Sequence, residues 1–247
     1  MSRIREIPLF RIGAESAAIV ASILLAFAID AWWDERKEAS LEQELLAALL
    51  IEFKQNVNLL RSASENYETQ YLDARNLLVY LDANSEQRNS AELERLVRSL
   101  WDARSVHLET GAYEAAAASG ILRLISDNEL RSHLAAWPSY VAEWAEEEDA
   151  LFLYRKNFLN PYMWGKIRTR TIAPDYASFP DGQSPPLIPR AGLDKDALID
   201  SIASVEFDNL VTKRAQNTWF ALRDCETLIS KATRIISLIQ TSLDGQR

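Results

Sequence analysis

The feature that most constrains this chain is an apolar stretch close to its N-terminus. Residues 12–29 are all apolar or small except for Glu15 and two serines. As a helix rising about 1.5 Å per residue, the stretch reaches about 27 Å, close to the ~30 Å thickness of a bilayer's hydrocarbon core. Trp32 and Trp33 follow it, and tryptophan is enriched at membrane–water interfaces. We therefore predict a transmembrane anchor over residues 12–33.

A cleaved signal peptide and a buried helix of a soluble core are the two alternatives to an anchor. The stretch is longer than most signal-peptide cores, and charged residues follow it without a good small-x-small cleavage site. A buried helix would show a polar face, whereas residues 10–33 are apolar around the whole circumference. Both observations favour a retained anchor. Its predicted interfacial residues are Arg11, Asp30, Trp32 and Trp33.

The charges on either side of the anchor predict its orientation. Three arginines and one glutamate precede it, whereas the two basic residues just after it stand among three acidic ones. Because positive residues resist translocation, residues 1–11 are expected to form a cytoplasmic tail. Residues 34–247 then form an extramembrane domain, which in a bacterium lies in the periplasm, outside the inner membrane.

Composition excludes several classes of function for that domain. A net charge of −9 argues against binding nucleic acid, whose phosphates require a basic surface. The single cysteine excludes an internal disulfide framework, and no Cys/His spacing is typical of zinc, so we expect neither a metal nor a cofactor. Few glycines, with abundant alanine, leucine and glutamate, indicate an all-α fold.

Apolar residues recur at three- and four-residue steps in two long segments, residues 41–82 and 205–243. We predict that these segments form a long antiparallel helix pair, with shorter helices between them. Ser126, followed three residues later by Glu129, predicts the start of a helix that Asn160-Pro161 ends, with Pro138 kinking or dividing it. A proline-rich loop is predicted at residues 169–194.

Two blocks of the sequence resemble a large, uncharacterised bacterial family of single-span membrane proteins. The first is Ile23-Leu-Leu-Ala-Phe-Ala-Ile-Asp30-Ala-Trp-Trp-Asp-Glu-Arg36, followed by an acidic, leucine-rich helix. The second is Tyr113-Glu-Ala-Ala-Ala-Ala-Ser119-Gly120-Ile-Leu-Arg-Leu-Ile125-Ser-Asp-Asn-Glu129-Leu130-Arg131. Ala116 departs from the family pattern, which commonly has leucine there, as do Phe27 and Ala28 in the anchor. The resemblance covers residues 10–60 and 108–137. It implies a membrane-tethered helical domain and implies no activity.

Glu15 is the one charged residue in the apolar stretch of residues 12–29, where a carboxylate is costly. It lies four residues after Arg11, so the two side chains share a helix face and could pair near the interface. A contact with another helix and a proton or ion path are the alternatives. Small residues around it would let helices approach closely, and hence favour self-association or docking to a membrane protein. The predicted packing residues are Gly13, Ala14, Glu15, Ala17, Ala18, Ala21 and Ser22.

A second candidate site is an aromatic and basic segment before the proline-rich loop. Its predicted members are Tyr154, Phe158, Tyr162, Trp164, Arg168 and Arg170. The segment could contact lipid headgroups, a ligand or a partner, or its aromatic rings could pack in the core. The acidic run just before it, Glu143 to Asp149, is interpreted as a solvated helix face, with a cation or a basic partner as the alternative.

The motifs of common enzyme classes are absent from the sequence. Ser119-Gly120 lacks the G-x-S-x-G elbow of hydrolases, and there is no P-loop, dinucleotide fingerprint or H-E-x-x-H motif. We therefore expect a non-catalytic accessory or scaffold protein that binds the lipid bilayer together with another membrane protein or a second copy of itself. A periplasmic ligand-sensing bundle and an oligomeric ion path lined by Glu15 are the alternative hypotheses.

Overall fold

The fold is all-α in a computed structural model that describes residues 9–82, 90–101, 105–167 and 195–245. Side chains are described from residue 18 onward, except those of residues 90 and 195–197. Within these ranges there is no strand. The helices are α1 (Leu9–Asp82), α2 (Ser90–Ser99), α3 (Gly111–Ser119), α4 (Asn128–Tyr154), α5 (Asn160–Lys166), α6 (Lys195–Ile202) and α7 (Val205–Gly245). A 3₁₀ turn (Ile121–Leu124) precedes α4, and a π-helical turn (Arg155–Leu159) joins α4 to α5.

Helix α1 is continuous over 74 residues and about 110 Å. No glycine or proline interrupts the sequence between Gly13 and Gly111, so nothing in the local chemistry ends the helix earlier. Ser40, the one place where the sequence could have restarted a helix, lies within it. The segment of the predicted anchor and the first helix of the bundle therefore belong to one continuous helix.

Helices α1 and α7 form the predicted antiparallel pair. The thiol of Cys225 donates to the carbonyl of Leu60 (3.3 Å), and the guanidinium of Arg214 donates to the side chain of Gln70 (2.6 Å). Residue numbers therefore rise along one helix as they fall along the other. Helix α4 packs against α7 and contacts α1 through side chains such as Trp137, whose ring meets that of Phe53. Their shared core includes Leu46, Leu49, Phe53, Leu60, Trp137, Trp144, Leu228 and Ile235.

A second core lies at the distal end of the bundle, the end farthest along α1 from Leu9. There the last turns of α1 meet α2, α5, α6 and the start of α7. Its buried members include Leu77, Leu93, Leu96, Met163, Ile202 and Phe207. Helix α6 was not predicted from the sequence. It packs into this core through Leu198 and Ile202, which are both buried and lie one turn apart.

Two predicted helix ends are wrong. The N-cap of α4 is Asp127, whose carboxylate accepts the backbone N–H groups of Glu129 and Leu130, because the neighbouring Ser126 is held by a residue of α1. Pro161 does not end the helix, which continues through α5. An internal proline clashes with the carbonyl four residues earlier, and the wide π-helical turn just before Pro161 relieves that clash.

The N-terminal part of α1 projects from the bundle. Every side chain described from Ala18 to Leu41 is exposed, and the first buried side chain is that of Glu42. Among the residues whose side chains are described, no helix is long and apolar enough to cross a membrane. Residues 12–17 of the predicted span lie outside that set, and the predicted proline-rich loop lies wholly outside the described residues.

Candidate functional site

The projecting rod, which we define as residues 18–33 of α1, exposes apolar side chains on all sides. Seven large ones are between 48% and 68% exposed: Ile19, Val20, Ile23, Leu24, Leu25, Phe27 and Ile29. At about 100° per residue, no gap wider than about 100° separates them around the helix axis. An amphipathic helix that packs on one neighbour keeps a polar face, and the rod has none. It therefore fits an environment that is apolar on every side.

Three of the four predicted interfacial residues lie at the end of the rod that faces the bundle. Trp32 and Trp33 are exposed, and their rings meet edge to face with centroids 5.3 Å apart. The guanidinium of Arg36 lies 5.7 Å from the centroid of Trp32. Asp30 is exposed one turn before them. Together these residues form a polar and aromatic cluster where the apolar rod ends.

The predicted packing residues fall only partly within the described side chains. Those of Gly13, Ala14, Glu15 and Ala17, like that of Arg11, lie outside them. Ala18, Ala21 and Ser22 are exposed on the rod. The hydroxyl of Ser22 donates to the carbonyl of Ala18 (2.8 Å), so this polar group is already satisfied within the helix.

Two tyrosines of the predicted aromatic–basic patch are part of the fold. Tyr162 is buried, and its hydroxyl donates to the backbone carbonyl of Ser201 (2.7 Å). The hydroxyl of the half-buried Tyr154 donates to the carbonyl of Leu210 (2.9 Å), and burial raises the pKa of Tyr154 to about 12. Both residues therefore hold α7 and the end of α6 against the α4–α5 segment.

The other aromatic residues of that patch point outward. Phe158 and Trp164 are 58% and 67% exposed, and the ring of Phe158 stacks on that of Tyr154 with centroids 5.5 Å apart. Arg168 and Arg170 lie outside the described residues. Phe152 and Leu153, which were not among the predicted members of the patch, are also exposed nearby on α4.

Buried polar side chains of α1 bind the backbone of the segment that connects α2 to α4. The carboxylate of Glu52 accepts the N–H groups of Ala112 (2.5 Å) and Tyr113 (3.1 Å) in the first turn of α3. The amide of Asn56 pairs with the backbone of Glu109, donating to its carbonyl (2.7 Å) and accepting from its N–H (2.8 Å). Burial raises the pKa of Glu52, although the two N–H groups oppose that shift.

Glu42 completes this set of contacts nearer the rod. Its carboxylate accepts both the backbone N–H (2.6 Å) and the hydroxyl (2.9 Å) of Ser126. We call Glu42, Glu52 and Asn56 the polar latch. The latch lies within residues 10–60 and its partners lie within residues 108–137, the two ranges for which a resemblance to the bacterial family was described. These two ranges therefore contact each other in space.

The polar latch was not among the sites predicted from the sequence. Glutamates in a leucine-rich helix are usually solvated, and only their position among Leu45, Leu49 and Phe53 hints that these face inward. In the acidic run of α4, Glu143, Glu146 and Asp149 are exposed, as the predicted solvated face requires, but one member departs from it. Glu148 turns inward there, where its carboxylate accepts a hydrogen bond from the hydroxyl of Tyr67.

The described residues contain no group of three or more His, Cys, Asp or Glu side chains that could hold a metal ion. His107 is exposed, and His133 lies 3.7 Å from the carboxylate of Glu129 on the helix surface. A cleft of about 220 Å³ opens at the distal end beside Tyr80 and Ile202. Its described lining is mainly apolar and carries no arrangement of catalytic groups.

Three comparisons with known proteins were negative. No protein-family model, no curated protein and no solved structure matches this chain.

Proposed function

We propose that the protein is a non-catalytic accessory or scaffold protein, anchored in the bacterial inner membrane by the N-terminal part of α1. In this proposal residues 12–33 cross the bilayer, residues 1–11 remain in the cytoplasm and the helical bundle stands in the periplasm. The anchor and the bundle together bind another membrane protein or a second copy of this chain. The resemblance to the bacterial single-span family is part of the same proposal.

The observation that carries this proposal is the apolar surface that the rod exposes on all sides. Its seven large aliphatic and phenyl side chains are on average a little more than half exposed. Full burial of one such side chain stabilises by about 1.5–3 kcal/mol, so covering the exposed part of all seven would contribute roughly 6–12 kcal/mol. Water cannot supply that free energy, whereas a bilayer or a ring of partner helices can.

The continuity of α1 supports a scaffolding role. Between the rod and the bundle, residues 34–41 form a helical neck about 12 Å long, in which every side chain is exposed. From Glu42 onward the latch and the α7 interface fix the same helix within the bundle. The bundle would therefore be held at a set distance and angle from the membrane surface, as positioning a partner requires.

Alkaline extraction of membranes that contain the full chain tests the anchoring. We expect the wild-type protein to stay in the pellet and a Leu24→Lys/Phe27→Lys variant to shift into the supernatant, because each lysine at mid-span opposes insertion by roughly 2.5–3.5 kcal/mol. The matched control, Leu41→Lys, changes an exposed residue of the neck and should leave the protein in the pellet. Extraction of the wild-type chain by alkali would contradict the proposal.

Native mass measurement after mild detergent extraction tests the binding role. We expect a mass above that of one chain, and crosslinking should identify the companion as another membrane protein or a second copy. A strict monomer with no companion would refute the scaffolding part of the proposal while leaving the anchor intact.

A further inference from the structure

Four large apolar side chains are exposed along one helical segment at the distal end of the bundle. They are Phe152, Leu153, Phe158 and Trp164, between 45% and 67% exposed, on the continuous helical segment formed by α4, the π-helical turn and α5. Lys156 and Lys166 are exposed on the same segment. We call these six residues the distal surface.

The charge of the distal surface is opposite to that of the rest of the chain. Between Ala150 and Ile167 the sequence holds three basic residues and no acidic one, whereas the whole chain has a net charge of −9. The third basic residue, Arg155, is fixed in place. Its guanidinium donates to the carbonyl of Trp101 (2.9 Å) and lies 5.5 Å from the ring centroid of Phe152.

The antiparallel helix pair fixes the height of this surface above the rod. Tyr154 binds the carbonyl of Leu210, and Arg214, one turn further along α7, is level with Gln70 of α1. The distal surface is therefore level with about residue 74 of α1, some 41 residues beyond Trp33. At about 1.5 Å per residue, that distance is about 60 Å.

We infer that the distal surface binds an acidic segment of a partner protein that also presents apolar side chains. The inference rests on the proposed membrane anchoring, and it names the chemistry of the partner. Aromatic residues and basic groups at a protein surface are the composition of interface hot spots. Carboxylates on the partner would complement Lys156 and Lys166, and its apolar side chains would cover Phe158 and Trp164.

Geometry and charge disfavour the other occupants. Lipid headgroups of the anchoring membrane are about 60 Å away. In a two-fold dimer that used this surface on both copies, the basic segment of one copy would face the same basic segment of the other, at a cost in electrostatic free energy. Nucleic acid requires many phosphate contacts, and the chain as a whole is acidic.

Site-specific photo-crosslinking of the full chain in its native membrane tests this inference. A photoreactive amino acid replaces Leu153, Phe158 or Trp164 in turn, and the matched control replaces Ile51, which is 61% exposed on α1 in the body of the bundle. We expect adducts from the three distal positions and none from the control. The crosslinked partner peptide, sequenced by mass spectrometry, should carry net negative charge.

Charge reversal supplies the second readout. A Lys156→Glu/Lys166→Glu variant should lower the adduct yield about tenfold, the effect of a loss of about 1.4 kcal/mol in binding free energy. Lys54→Glu, an equal charge change per site at an exposed position on α1, should leave the yield unchanged. Lys156→Gln/Lys166→Gln should lower the yield less, and a melting curve equal to that of the wild type shows that each variant is folded.

Four results would overturn the inference. The first is no adduct at the distal positions, and the second is an equal yield of adducts at Ile51. The third is adducts that form only with lipid, with nucleic acid or with a second copy of the chain. The fourth is an adduct yield that charge reversal leaves unchanged. Fractionation of the same cells reports separately on the anchor. A chain that pellets with the membrane but forms no distal adduct refutes only the distal surface, whereas a chain found in the soluble fraction refutes the anchoring.

Discussion

Replacing Asn56 by alanine is expected to destabilise the bundle strongly, whereas the same replacement at Asn58 is not. Asn56 is fully buried and exchanges two hydrogen bonds with the backbone of Glu109, whereas Asn58, two residues further along α1, is exposed. Both substitutions change the same residue type within one helix, so their effects on helix propensity cancel. The difference between the two variants therefore isolates the contact with Glu109.

The magnitude follows from the two groups left without partners. Leaving a buried donor or acceptor unsatisfied costs about 1–3 kcal/mol, and Asn56→Ala strands both the N–H and the carbonyl of Glu109. Because that backbone lies near the surface and water can satisfy part of the loss, we expect a difference of about 2–4 kcal/mol between the variants. Asn58→Ala itself should stay within about 0.5 kcal/mol of the wild type.

Urea unfolding of the full chain in a mild non-ionic detergent, followed by circular dichroism, measures this difference. Hydrogen exchange at the Glu109 amide provides a local readout, since this N–H should exchange faster in Asn56→Ala even where global unfolding changes little. Equal unfolding midpoints for the two variants, together with unchanged exchange at Glu109, would refute the role given to the latch.

Two further predictions concern the core and Glu148, a partly buried carboxylate of α4. Phe53→Ala should lower the free energy of unfolding by about 3–5 kcal/mol, because the ring of Phe53 is fully buried and its centroid lies 4.9 Å from that of Trp137. The control Ile51→Ala, at an exposed position, should change the free energy of unfolding by less than about 0.5 kcal/mol in the same urea titration. Burial raises the pKa of Glu148 above its ordinary value of 4.5, so the folded state binds a proton at this carboxylate more tightly than the unfolded state does. The stability that Glu148 contributes therefore falls as pH rises from 4.5 through the folded-state pKa. Melting curves across that pH range should therefore show the wild type losing stability relative to Glu148→Gln as pH rises, and parallel curves for the two proteins would contradict the assignment.

The local chemistry of the sequence was sufficient to predict the long helices. The three- and four-residue spacing of Leu46, Leu49 and Phe53, without an intervening glycine or proline, marks one face of α1, and the same spacing in α7 marks the face that meets it. All of these residues are buried where the two helices pack. The all-α fold and the antiparallel pair follow from that pattern alone.

The features that local patterns did not predict depend on contacts between distant parts of the chain. Ser126 fits an N-cap by sequence, but Glu42, 84 residues earlier, holds it, and the cap moves to Asp127. Pro161 is a helix breaker by sequence, but the π-helical turn before it lets the helix continue. The contact with Glu42 arises only once the helices have packed, whereas the π-helical turn is a local widening of the helix that the position of Pro161 does not predict.

The candidate sites were predicted only in part, because the burial of a side chain also depends on contacts between distant parts of the chain. An aromatic residue such as Tyr162 is equally suited to a core and to a binding surface, and only its contact with Ser201 places it in the core. Phe152 and Leu153 were not singled out because two adjacent apolar residues in a helix are ordinary in sequence. Their exposure becomes visible only in the packed bundle.

Depth measurements with a spin label test the anchoring of the rod most directly. A nitroxide is attached to a cysteine at Leu24 or, as the control, at Leu41, with the protein in lipid vesicles. The native Cys225 should not react, because it is buried and burial raises its pKa to about 12. We predict frequent collisions with oxygen and rare collisions with a water-soluble nickel complex at position 24, and the reverse at position 41. Frequent nickel collisions at position 24 would place the rod in water, and rare collisions with both reagents would place it against protein, so either result would contradict a lipid anchor.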